Sequence, residues 1–248
     1  VLAVMACEPG ARPPDRGSAP QSTTVAFHGN QLVSVDEDHG DVVFLGLDGE
    51  GRVAVPVGER PAQLSVRGDR VAVTLRGERA LAVLNARTRE VVGRVVVGIE
   101  PYGVAFLDDR TVVVTLAGED RVALVDVENL RVTGSHRLAA DGPRGVAVLP
   151  DGRIYVTHLL RGILTELDLR AGGLVRAIPV NLQAGGFSLN ASLLSNLAVS
   201  PDGREVATGN VNLNNDNMTE ASQRFPEQSA GYLGTPDQLP AVNPTVTT

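Results

Sequence analysis

Residues 141–180 read DGPRGVAVLPDGRIYVTHLLRGILTELDLRAGGLVRAIPV, and this stretch decides the fold. A Gly-Pro loop leads into an apolar run, Gly145 to Leu149. Pro150-Asp151-Gly152 then reverses the chain, because proline presets φ near the value a turn needs and glycine accepts φ > 0. A second run, Ile154 to Thr157, ends at the reversal marked by Arg161-Gly162. Ile163 to Leu169 alternates apolar and polar residues at the strand period, Ala171-Gly172-Gly173 turns the chain again, and Leu174 to Val180 closes the set. The unit is four short strands joined by three tight turns.

Its neighbours are copies of it. The middle of the first strand recurs at Ala26, Ser65, Ala105, Ala147 and Ala198, spaced 39, 40, 42 and 51 residues apart. A hydroxyl near the end of the next strand recurs in step, at Ser34, Thr74, Thr115, Thr157 and Thr208, with spacings of 40, 41, 42 and 51. The preceding loop repeats as Gly58-Glu59-Arg60-Pro61, Gly98-Ile99-Glu100-Pro101 and Asp141-Gly142-Pro143. Four-stranded units at a period near 40 residues are the blades of a β-propeller. The fold class is therefore all-β: four full blades of four antiparallel strands plus the start of a fifth. A seven-blade ring needs roughly 280 residues, so the expectation is a fragment of such a ring, with a complete small propeller as the weaker alternative.

The motifs VGIEPYGVA (Val97 to Ala105), LPDG (Leu149 to Gly152), SPDG (Ser200 to Gly203), YVTH (Tyr155 to His158) and VALVDV (Val122 to Val127) resemble the YVTN β-propeller repeat. The resemblance covers roughly Thr24 to Asn210. It departs at the fourth letter of the signature, where this chain has Leu75, Leu116, His158 and Gly209 in place of the usual Asn.

Composition narrows the function classes. Aromatic residues make up 3% of the chain and Trp is absent, so the stacking platforms used for single-stranded nucleic acid are missing. The net charge of −7 provides no basic footprint for a duplex, and nucleic acid is not an expected partner. All 22 basic residues are Arg, which excludes Schiff-base chemistry and a Walker lysine. No Gly-x-Ser-x-Gly elbow, His-Glu-x-x-His pair, Cys-x-x-Cys or phosphate-cradling glycine loop occurs.

The chain begins with an apolar run, Val1 to Ala6, before its single cysteine, Cys7. Val4-Met5-Ala6-Cys7 resembles a bacterial lipobox, in which the cysteine is acylated. That resemblance implies an exported protein of the periplasm or cell envelope, attached to a membrane through a lipid on Cys7. The plain alternative is a lone thiol. Residues 1–7 are then the end of a signal, 8–22 a flexible tether, 23–210 the blades, and 211–248 an Asn- and Pro-rich excursion or disordered end. Residues 181–196 interrupt the rhythm between blades four and five, as a binding loop or a surface insertion. The acidic run Asp36-Glu37-Asp38-His39-Gly40-Asp41 is read as a solvated turn in preference to a Ca²⁺ loop, since its spacing is not that of an EF-hand.

The loops before each first strand converge on one mouth of a propeller. Glu59, Arg60, Glu100, Tyr102, Asp141 and Arg144 are accordingly the candidates to meet a protein or small-molecule ligand. His158, at a strand end in the signature position, is read as structural. Three functions fit: a lipid-anchored binding scaffold; the propeller part of a larger c-type haem protein; or a lactonase-like enzyme. The second follows from the likeness of Ser195 to Asn217 to the region before haem domains in some YVTN-like proteins. With no Cys-x-x-Cys-His here, no cofactor is expected in this chain and any haem c belongs beyond Thr248. The third is the thinnest, because Gln63, Ser65 and Asn196 are nearly the whole polar complement of the innermost strands.

Overall fold

The computed structural model describes residues 21–159, 161–184, 187–190, 194, 196–200, 202–208 and 245–247. Blade one consists of β1 (Val25–His28), β2 (Gln31–Asp36), β3 (Asp41–Gly46) and β4 (Val53–Pro56). Blade two is β5 (Pro61–Arg67), β6 (Arg70–Leu75), β7 (Ala80–Asn85) and β8 (Glu90–Val96). Blade three is β9 (Pro101–Phe106), β10 (Thr111–Leu116), β11 (Arg121–Asp126) and β12 (Arg131–Arg137). Blade four is β13 (Pro143–Val148), β14 (Ile154–His158), β15 (Ile163–Asp168) and β16 (Gly173–Pro179). A hairpin follows, β17 (Asn181–Ala184) with β18 (Phe187–Asn190), and then β19 (Leu197–Val199), β20 (Glu205–Thr208) and β21 (Thr245–Thr247) form a partial fifth blade. Each full blade is an antiparallel meander in chain order, as the repeat implies.

The strands of the quoted stretch fall within two residues of their expected limits. Two regions differ from expectation. Residues 211–248 were expected to add no strand, yet Thr245–Thr247 pairs with β20 as the third strand of blade five. Three residues are too few for a period-two pattern to register, and the strand is defined by its partner. Gln21 and Ser22, the last residues of the expected tether, are instead held in the ring: Gln21 bridges Ala147, and Ser22 is 2% exposed.

The blades bury one core between each consecutive pair. In blade two, Val71, Val73 and Leu75 of β6 and Ala80, Ala82 and Leu84 of β7 pack against Val33, Val42 and Phe44 of blade one. The alternate residues Ala72, Leu81 and Val83 point the other way, against Val104, Phe106, Val112 and Val114 of blade three. Both faces of the inner strands are therefore covered, which is why Thr111 to Leu116 is apolar almost throughout. Each fully buried Leu or Val contributes about 1.5–3 kcal/mol relative to exposure. The outermost strands β8 and β12 keep one wet face and alternate accordingly.

The meander sends the turns after the second and fourth strands of each blade to one end of the ring. Backbone bonds between these two loop sets fix that end: Arg76 N–H to Arg60 O at 3.0 Å, Ala117 N–H to Glu100 O at 2.9 Å, and Leu159 N–H to Gly142 O at 2.9 Å. By the same alternation β16 ends, β20 ends and β21 begins at this end, so both long interruptions of the repeat open there.

Candidate functional site: the channel mouth

The mouth is built by a bulge repeated in the innermost strands. Register shifts occur between Pro61 and Leu64, between Pro101 and Val104, and between Pro143 and Val146. Opposite each bulge sits the recurring hydroxyl, fully buried in all three blades: Thr74, Thr115 and Thr157. Thr115 Oγ1 accepts the Gly103 N–H at 2.7 Å and donates to Arg144 O of the next blade at 2.7 Å. Thr74 Oγ1 likewise accepts the Gln63 N–H at 3.1 Å and donates to Tyr102 O at 2.6 Å. The hydroxyl thus satisfies backbone groups that the bulge removes from the ladder and links one blade to the next.

The bulge re-aims the residue after each proline. Those residues are Ala62, Tyr102 and Arg144. Gly103 must be glycine, because a Cβ there would lie 2.2 Å from Arg144 O. The residue just before each proline is left-handed, with φ of 53° at Arg60 and 51° at Glu100, uncommon for residues with a side chain, and 62° at Gly142, where glycine accepts it. Ahead of it, Gly58 and Gly98 have φ of 132° and 142°, and carboxylates from the facing turn take the next N–H: Glu78 that of Glu59 at 2.9 Å, Glu119 that of Ile99 at 2.7 Å.

These positions bring Arg144 over the Tyr102 ring, its guanidinium carbon 4.5 Å from the centroid, with the Arg76 carbon 5.7 Å from the same centroid. Arg76 leans towards Glu37 at 3.8 Å and Glu100 at 3.7 Å, and Arg60 reaches Glu37 at 3.5 Å. Across the channel, Gln63 Nε2 donates to Asn196 Oδ1 at 2.9 Å. Among the described residues three buried side-chain atoms lack a hydrogen-bond partner, and all belong to this mouth: Gln63 Oε1, Arg76 Nε and Arg144 Nε.

Of the sequence candidates, Arg60, Glu100, Tyr102 and Arg144 join this cluster. Asp141 lies at the same end but is taken by Arg161 in a two-point pair at 2.6 and 3.0 Å, which holds its carboxyl below the usual range. That pair lines an open cleft of about 400 Å³ with Asp120 and Arg137. Glu59 is exposed, and its backbone is tied to Glu78. Cys7 lies outside the described residues. Four members were not among the candidates: Gln63 and Asn196, which the sequence offered only as polar groups of the innermost strands; Arg76, which follows the signature in blade two where blades three and four have Ala117 and Leu159; and Glu37 of the acidic turn. In that turn the Asp36 carboxylate is engaged by His39 Nδ1 at 2.9 Å. His158 is enclosed, bonded to Thr165 Oγ1 at 2.7 Å and Asp141 O at 3.0 Å, and burial holds its pKa below the ordinary value.

Residues 21–23 lie against the innermost strands of other blades. Ser22 Oγ accepts the Val146 N–H at 2.9 Å, Thr23 exchanges two backbone bonds with Leu64 at 2.7 and 3.1 Å, and Gln21 Oε1 accepts the Val199 N–H at 3.0 Å. One short segment thereby ties blades two, four and five together.

No family model and no curated protein sequence matches the chain. Solved β-propeller structures do. The chain is similar to Kuenenia stuttgartiensis hydrazine synthase, with a TM-score of 0.66 at 20% identity over 75% of this chain and 54% of that one. It is similar to virginiamycin B lyase from Staphylococcus aureus, with a TM-score of 0.57 at 10% identity over 81% and 72%. The β-propeller domain of Myceliophteria thermophila Cps50 (Swd1) gives a TM-score of 0.61 at 17% identity over 76% and 62%. The chain spans about half the length of the hydrazine synthase chain it matches. At these identities the likeness establishes the β-propeller fold.

Proposed function

We propose that this chain is a YVTN-type β-propeller module that works as a binding scaffold, taking a protein or small-molecule ligand at the channel mouth. The observation that carries the reading is the concentration of buried polar atoms without a partner among the described residues, Gln63 Oε1, Arg76 Nε and Arg144 Nε, at the end where both interruptions of the repeat open. Buried polar groups are nearly always satisfied, and a cluster that is not is a place for something else to bind.

A thermal-shift panel of sugars, carboxylates, phosphates, amines and short peptides tests this. Ligands that lose their effect in Tyr102→Ala and keep it in Asp109→Ala, at the opposite end, support the mouth. Ligands insensitive to Tyr102 and lost with Asp109→Ala refute it.

The proposed setting is the bacterial periplasm or cell envelope, with a lipid on Cys7 supported by the Val4-Met5-Ala6-Cys7 run. Fully extended, the residues between Cys7 and Gln21 span at most about 50 Å, which would keep the propeller close to its membrane. Cys7→Ala is expected to move the native protein into the soluble fraction. A second reading, the propeller of a larger c-type haem protein, rests on the Ser195 to Asn217 run, and a Soret band in the native full-length protein tests it.

A further inference from the structure

We infer that the ligand of the mouth is a small hydroxylated carboxylate, an inference that rests on the binding-scaffold reading above. Arg144 sets the charge requirement. It shares the Tyr102 ring with Arg76, at 4.5 and 5.7 Å, and among the described residues no carboxylate pairs with it. An arginine carries five N–H donors, and the buried Nε–H of Arg144 finds no acceptor among the described residues.

Arg76 is partly compensated. Glu37 and Glu100 stand 3.8 and 3.7 Å from its terminal nitrogens, beyond hydrogen-bond length, so its donors remain available while the nearby carboxylates partly offset its charge. Two cations held on one ring repel each other, and an anion received by both relieves that repulsion. The planar fork of a guanidinium matches a carboxylate in particular, and stacking on Tyr102 fixes the plane in which the fork points.

The hydroxyl requirement comes from Gln63. Its backbone N–H is bound to Thr74 Oγ1, which also binds Tyr102 O, so Gln63 abuts the Tyr102 bulge. Its Nε2 is spent on Asn196, leaving Oε1 as a buried acceptor without a partner among the described residues. As an acceptor, Gln63 Oε1 repels a bare anion oxygen and takes an O–H. A ligand carrying both a carboxylate and a hydroxyl offers an acceptor to the arginines and a donor to Gln63.

Calorimetric titration of the chain with malate, succinate and inorganic phosphate tests the inference. Malate is expected to bind in the millimolar range, tighter than succinate, which lacks the hydroxyl, and tighter than phosphate. Arg144→Gln is expected to weaken malate by about tenfold or more, the loss of a charge-assisted bidentate contact, and Arg52→Gln, on an exposed loop, to leave it unchanged. The Tyr102 ring resonances of the unaltered chain are expected to shift as malate is added, a readout that needs no variant to fold. Absence of malate binding, binding indifferent to Arg144→Gln, or phosphate binding as tightly as malate overturns the inference. If malate fails while some panel ligand still depends on Tyr102, the mouth stands and only the carboxylate class falls. If no panel ligand depends on Tyr102, both fall.

Discussion

Replacing Thr115 by valine is expected to destabilise the propeller by about 3 kcal/mol without opening a cavity in the core. Valine nearly matches threonine in volume and Thr115 is 0% exposed, but the second methyl of valine replaces an oxygen held 2.7 Å from two backbone atoms and must push them back slightly. What is lost is the hydroxyl that accepts the Gly103 N–H and donates to Arg144 O, both at 2.7 Å. Each buried backbone group left without a partner costs about 1–3 kcal/mol, and two are orphaned at once. Thr115→Ser keeps the hydroxyl and gives up one buried methyl, for about 1 kcal/mol. Thr111→Val, at the half-buried start of the same strand, is the control and is expected to stay within about 0.5 kcal/mol. The chain has no Trp, so urea unfolding is best followed by far-ultraviolet circular dichroism, comparing midpoints at constant slope. Valine as stable as wild type, or serine more damaging than valine, would refute the argument that the hydroxyl stitches bulge to bulge.

Three further outcomes follow from the same contacts. Gly103→Ala places a methyl 2.2 Å from Arg144 O, a backbone atom that cannot swing away, and is expected to cost about 2–4 kcal/mol in the same assay. Ser22→Ala removes the buried acceptor of the Val146 N–H, and hydrogen exchange at that amide should speed up by about tenfold or more. His158 has its pKa depressed by burial, so the unfolded chain takes up its proton first. Stability is therefore fully present above the ordinary His range and falls as the pH drops below about 6.5, and His158→Asn should flatten that slope in urea midpoints measured between neutral and mildly acidic pH.

Much of this architecture was legible before any coordinates. Proline and glycine fix φ locally, and a period of two fixes which side chains share a face, so the strands of residues 141–180 and their copies could be placed closely. The repeating hydroxyl at Thr74, Thr115 and Thr157 was visible as a marker, although its task was not, because one of its hydrogen bonds reaches into the next blade. Tyr102 and Arg144 were among the candidates because the loops before the first strands run to one end of a propeller. Arg76 was passed over because nothing in its own blade sets it apart from a turn arginine, and it matters only beside a ring some 26 residues further on.

The sequence by itself determined the blade, the blade repeat and the end of the ring to which the loops run, since all three depend on backbone conformation within a few residues. The tertiary structure alone decided which side chains meet at the axis. Gln63 touches Asn196 across a separation of 133 residues, Ser22 reaches Val146 across 124, and Gln21 reaches Val199 across 178. Such neighbours are set by the packing of blades around a centre, a geometry that no local pattern records.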